Sequence, residues 1–165
     1  MFKAIGALIA LGFGFALLSA PANAATSPFA GTWVLNVSKS TYSPGPGPKS
    51  QTIKIEDLGG GKFKSTNDIT PATGAPTHSE LSYAMDGKPY SIAPPPAAGS
   101  PAPDAVAFKS IDATSFEVTT MKGGKPIGTK TVVKLSANGK SLTATSSGTN
   151  AEGKPVNNVV LFEKQ

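Results

Sequence analysis

From residue 26 onward the chain repeats one pattern: an apolar residue at every second position over a short run, then glycine. Ile53 and Ile55 show it first, followed by Leu81, Tyr83 and Met85, by Tyr90 and Ile92, and by Val106 and Phe108. It continues through Phe116 and Val118, Val133 and Leu135, Leu142 and Ala144, to Val160 and Phe162. A spacing of two puts these side chains on one face of a strand. The residues between them are mostly Ser, Thr, Lys and Asp, the composition of strand faces turned to water. No run carries an i, i+3, i+4 stripe long enough for a core helix.

Turn chemistry separates the runs. Gly59-Gly60-Gly61, Asp86-Gly87, Gly123-Gly124, Asn138-Gly139 and Glu152-Gly153 all read as hairpin reversals, because glycine accepts the positive φ that tight turns demand. A weaker echo, Gly87-Lys88-Pro89, Gly124-Lys125-Pro126 and Gly153-Lys154-Pro155, with Gly74-Ala75-Pro76 as a looser copy, falls where a turn hands over to a strand. Its unequal intervals rule out the fixed period of a solenoid or propeller. Two segments interrupt the meander: the Pro/Gly crossover from Ser43 to Pro48, and Ala93 to Pro103, which carries Pro94-Pro95-Pro96, Pro101 and Pro103. Such a segment is too rich in proline for a central strand and reads as a stiff spacer or lid. The expected fold is all-β, an antiparallel up-and-down β-barrel of about 8–10 strands that closes to remove its edges.

Residues 1–24 read differently. Lys3 is followed by an apolar and small-residue run from Ala4 to Leu18, then by Pro21 and Ala22-Asn23-Ala24. That is the layout of a cleavable signal-peptide helix, with cleavage expected after Ala24 or Ala25. The run is too short to span a bilayer as a helix. Residues 25–165 are then expected to form one β-barrel domain, secreted or periplasmic, with no membrane span after signal cleavage. The chain has no cysteine, so disulfides, thiol catalysis and thiolate metal sites are excluded, and packing and sheet hydrogen bonds must hold the domain.

Charge narrows the partners. The 15 basic residues are all lysine and stand against 10 acids, a net charge of +5. Without arginine there is no bidentate clamp for phosphate, carboxylate or guanine, and the lysines are spread singly, so no nucleic-acid partner is expected. His78 is the only histidine. Glu80 lies on the same strand face, with Ser79 and Ser82 nearby, but one histidine cannot build a multi-histidine metal site, and the strand reads as polar on its outer face. No P-loop, dinucleotide fingerprint, G-x-S-x-G or calcium loop is present. The expectation is therefore no enzyme, no cofactor and no metal. An outer-membrane barrel would need an apolar lipid-facing band with aromatic girdles, which strands rich in lysine and hydroxyl on one face do not offer.

The most specific motif is on the first strand, Phe29-Ala30-Gly31-Thr32-Trp33-Val34-Leu35. Its Gly-x-Trp resembles the signature of the calycins, the lipocalin and fatty-acid-binding-protein group, whose Trp packs across the closed base of the barrel. Val160-Leu161-Phe162-Glu163-Lys164 looks like the end of a fatty-acid-binding protein's last strand, and the chain is similar in outline to small exported bacterial lipocalin-like proteins. Two departures matter. The Arg-x-Tyr carboxylate clamp expected on that last strand is replaced by Val160 and Phe162. The stretch Asn36 to Ser50 is too short and too rich in Pro and Gly for the two-helix lid. The resemblance implies an exported lipocalin-like protein holding a small apolar or amphipathic ligand in the cell envelope, lined by Trp33, Tyr83, Tyr90, Phe108, Phe116 and Phe162. The alternative is a structural or protein-interaction module with a filled core and no ligand; a cavity of at least about 300 Å³ separates the two.

Overall fold

The alternation described above becomes ten antiparallel strands in the computed structural model, which describes residues 26–100, 102–149 and 153–165. The strands are β1 (Gly31–Leu35), β2 (Ser50–Gly59), β3 (Lys62–Thr70), β4 (Thr77–Ala84), β5 (Asp86–Ser91), β6 (Ala105–Asp112), β7 (Ser115–Lys122), β8 (Lys125–Leu135), β9 (Ser141–Thr149) and β10 (Pro155–Lys164). The only helical element among the described residues is a 3-10 turn at Val37–Lys39, started by the Asn36 side chain accepting from the Lys39 amide. The expected signal-peptide helix, Pro101 and Glu152 lie outside the described residues.

All ten strands belong to one sheet in the order β4-β3-β2-β1-β10-β9-β8-β7-β6-β5. Every neighbour in that order is also a neighbour in the chain except β1 and β10, where Trp33 faces Lys164 and Leu35 faces Phe162. This is the up-and-down meander that short glycine turns dictate. Asn138-Gly139 shows the local reason: Gly139 sits at φ 68°, a backbone state that L side chains resist, while the Asn138 carboxamide accepts from the Lys140 amide.

The barrel is nearly closed. β4 and β5, the two ends of the sheet, are linked through Met85 and share no continuous ladder. They are tied where Glu80 and Ala93 exchange backbone hydrogen bonds of 2.7 and 3.0 Å. The sequence places a turn at Asp86-Gly87, but the chain has already reversed at Met85 and both residues belong to β5. There Gly87, at φ 80°, accompanies an irregularity in the pairing with β6. A second reversal, like that at Met85, carries no glycine. Between β6 and β7 the Asp112 carboxylate accepts from the Thr114 amide and hydroxyl and from the Ser115 hydroxyl, at 2.6 to 2.9 Å. These hydrogen bonds, that from Ser115 first, lower its pKa to about 2.

Inward-facing side chains meet in rows across the strands. Phe116, Val133, Ala144 and Val160 stand opposite one another along β7, β8, β9 and β10, and Leu135, Leu142 and Phe162 form the next row. The base is sealed by the segment before β1. Phe29 packs edge-on against Phe116 with ring centroids 5.0 Å apart. Its carbonyl accepts a 2.8 Å hydrogen bond from the Trp33 indole, whose side chain is fully buried. Asp57 fixes the segment from outside, its carboxylate accepting from the Ser27 amide at 2.7 Å and from the Gly59 amide at 2.8 Å. Those two donors hold its carboxyl below the usual range. Lys164 covers the Trp33 ring at 5.0 Å, a cation–π contact at the seam of β1 and β10.

Candidate functional site

Above this base the barrel is hollow. A cavity of about 720 Å³ occupies its upper part, well over the volume that accepts a small molecule. Its floor and one wall are apolar: Tyr83, Phe108, Phe116, Val133, Val160 and Phe162 all face it. Tyr83 stacks on Phe108 with centroids 4.0 Å apart and on Phe63 at 5.5 Å, a three-ring ladder of which Tyr83 and Phe108 face the cavity. Burial raises the Tyr83 hydroxyl well above its ordinary pKa, so it stays protonated.

The sheet's other half supplies a different surface. Gln51 of β2, Ser65 and Asn67 of β3, and Thr77 and Ser79 of β4 also face the cavity. Pairing makes them contiguous: Asn67 stands opposite Ile53 on one side and Ser79 on the other, and Gln51 Nε2 donates to Asn67 Oδ1 at 2.9 Å. Among the described residues, no side chain carrying a charge lines the cavity.

Two proline-containing segments border the open end. β1 rises from the base, and the chain continues upward until Thr41 pairs with Val159 of β10 and Ser43 bonds to Asn157 and Asn158. That fixes Tyr42 and Pro48 over the cavity. The Tyr42 ring lies against the backbone at Gly47, where a Cβ would overlap it. The Tyr42 hydroxyl is cut off from solvent with no hydrogen-bond partner among the described residues, and burial raises its pKa. On the other side Pro94, Pro96, Ala102 and Pro103 line the mouth. The segment is held by the Glu80–Ala93 pair and by hydrogen bonds from Ile92 to Asp104 and from Asp104 to Met121, each 3.0 Å. Proline's fixed φ keeps this rim stiff without regular secondary structure.

Of the six aromatic residues singled out in the sequence, Tyr83, Phe108, Phe116 and Phe162 come together on the cavity surface, and Trp33 and Tyr90 do not. Trp33 lies in the solid base. Tyr90 packs against the core from β5, its hydroxyl donating to Asp86 at 3.0 Å. Residues missed by the sequence reading are the polar ones. Thr77 and Ser79 sit on the same face as Leu81 and Tyr83, inward rather than outward, and the period of two contained that signal. His78 and Glu80 do share the opposite face. His78 Nδ1 bonds to Asp68 at 2.6 Å and Nε2 lies 3.9 Å from Glu80, which also pairs with Lys64 at 3.1 Å. The Asp68 hydrogen bond raises the His78 pKa. This exposed network is turned away from the cavity.

No protein-family model matches the chain, and no curated protein is similar to it in sequence. Solved structures do match. The crystal structure of the wild-type fluorescent protein UnaG superposes with a TM-score of 0.53 at 15% identity, covering 83% of this chain and 97% of that one. That of a single-residue UnaG mutant gives 0.53 and 15%, covering 84% and 96%. Together with the ten-stranded, nearly closed antiparallel barrel, these likenesses define the fold as calycin-like, of the fatty-acid-binding-protein type. Among the described residues no helix is long and apolar enough to cross a membrane, and no group of His, Cys, Asp or Glu is arranged to hold a metal ion.

Proposed function

We propose that the protein is a non-catalytic carrier that takes a small apolar or amphipathic molecule into its barrel, and that it works outside the cytoplasm, secreted or in the periplasm. The observation that carries this reading is the cavity of about 720 Å³ over a solid aromatic base. A calycin-like barrel used only as a scaffold gains nothing from a void, because unfilled apolar volume costs stability. Tyr83, Phe108, Phe116 and Phe162 supply the apolar contacts, while Trp33 and the ring of Phe29 hold the base rigid beneath them. The signal-peptide layout of residues 1–24 supports the extracytoplasmic location. A non-catalytic role is supported by His78, whose partners lie on the outer face and not beside the cavity.

Native mass spectrometry of the protein purified from its own cell envelope, repeated after denaturing extraction, tests the proposal. A discrete additional mass that disappears on denaturation is the expected result. A bare polypeptide mass, with no thermal shift against a panel of lipids and apolar metabolites, would sink the carrier reading in favour of an envelope interaction module.

A further inference from the structure

Resting on the carrier reading, we infer that the cavity selects an uncharged molecule whose polar group both donates and accepts hydrogen bonds, such as a carboxamide, and that the patch of Gln51, Asn67 and Ser79 reads that group. Three observations carry this. First, among the described residues the cavity wall bears no charged side chain. A carboxylate or ammonium drawn into it would lose its hydration with no opposite charge to replace it, the costliest kind of burial. Second, the polar groups of the wall are not equivalent. On the β7–β8 side, Thr120 Oγ1 donates to the Ile127 carbonyl and Thr131 Oγ1 bonds to Ser146 Oγ, each at 2.8 Å, so those hydroxyls are already engaged. On the β2–β4 side the single bond between Gln51 and Asn67 uses one amide N–H and one amide oxygen. Whichever way the two amides are turned, one NH₂ group and one carbonyl remain between them, and the Ser79 hydroxyl stands opposite Asn67 in register. Third, the facing wall is apolar and aromatic through Val106, Phe108 and Val118. A ligand that fits both walls has an apolar body on one flank and a neutral donor–acceptor group on the other.

The test uses the neutral dye Nile red, with dodecanamide, methyl dodecanoate and dodecanoate as competitors at about pH 8, where the acid is ionised. Dye fluorescence on the wild-type protein reports the cavity itself. The expected order is amide tightest, ester weaker by about fivefold for the lost donor, and carboxylate weaker than the amide by at least about tenfold. In the double variant Gln51→Leu, Asn67→Leu, which removes both amides, the amide and ester become equal while Nile red affinity stays within about twofold. Ser79→Ala, a smaller change, reduces the same preference if the leucine variant does not fold. Dodecanoate binding as well as the amide would overturn the inference alone. So would an amide preference that survives in both variants. Absence of any dye uptake by the wild-type protein would overturn the carrier reading and this inference with it.

Discussion

At the base of the barrel, Phe29, Trp33, Leu135 and Phe162 fill the space between the strands and the Trp33 side chain is wholly enclosed. Toward the mouth the same strands carry Gln51, Asn67, Ser79 and Thr131 inward, and the space between them is empty. Both ends obey the alternation of period two. They differ in what the inward positions hold, and so in what each end is able to do. Aromatic and branched residues interdigitate to a solid and make the fold stable. Short hydroxyls and amides leave volume and hydrogen-bonding capacity, at some cost to stability, and make the upper half a receptacle. A stiff proline rim borders the receptacle where a helical lid would otherwise be expected.

The largest effect that separates the two ends is predicted for Trp33→Ala. Emptying the solid base removes a fully buried ring and leaves its contacts unmet, a loss of about 4 kcal/mol. Val118→Ala, at the wall of the existing cavity, only widens a space that is already there and costs about 1 kcal/mol. Urea unfolding of both variants checks the contrast; equal losses would show that the upper half is packed as tightly as the base. Gly47→Ala comes next. Its Cβ would overlap the Tyr42 ring, so the ring must leave its place over the cavity, with an expected loss of about 1 kcal/mol and a change in Nile red affinity. Unchanged dye binding would mean that Tyr42 plays no part in covering the mouth.

The smallest effect lies at the exposed rim of the base, in the β6–β7 turn, where Thr114 accepts from the Leu135 amide. Asp112 has a folded pKa of about 2, below the unfolded value of about 3.9. Its contribution is therefore complete above the unfolded pKa and is lost as pH falls from about 4 to about 2. Thermal unfolding across that range should show a shallower decline for Asp112→Ala than for the wild type. Identical slopes would place the acid sensitivity elsewhere, for instance at Asp57, whose pKa is also lowered.

The base and the proline segment at the mouth were legible in the sequence and the polar inner wall was not, for a physical reason. Apolar residues at alternate positions announce which face is buried, so Val133 and Leu135, or Val160 and Phe162, identify strands and core together. Along the β2–β4 wall of the hollow, glutamine, serine, asparagine and threonine stand inward among Ile53, Ile69 and Leu81, and these polar types are the ones that also face water outside. Thr77 and Ser79 were therefore indistinguishable by type from the exposed Ser82, and only their spacing from Leu81 and Tyr83 betrayed them. Turns followed the same division. Glycine marked the reversals at Gly59-Gly60-Gly61, Gly123-Gly124 and Asn138-Gly139, whereas the β6–β7 reversal rests on the Asp112 side chain, and Gly87 serves a strand irregularity instead of a turn. Trp33 was correctly expected on the first strand, yet its type alone could not separate floor from foundation.

The seam between β1 and β10 carries a consequence for how the chain is assembled. Every other pairing joins strands adjacent in the chain and can zip from a short local loop, while this one joins strands from opposite ends of the described chain. β1 therefore keeps one bare edge in any stretch that stops short of Pro155. Closure is the step that waits for the last strand, and with it the covering of the Trp33 ring by Lys164.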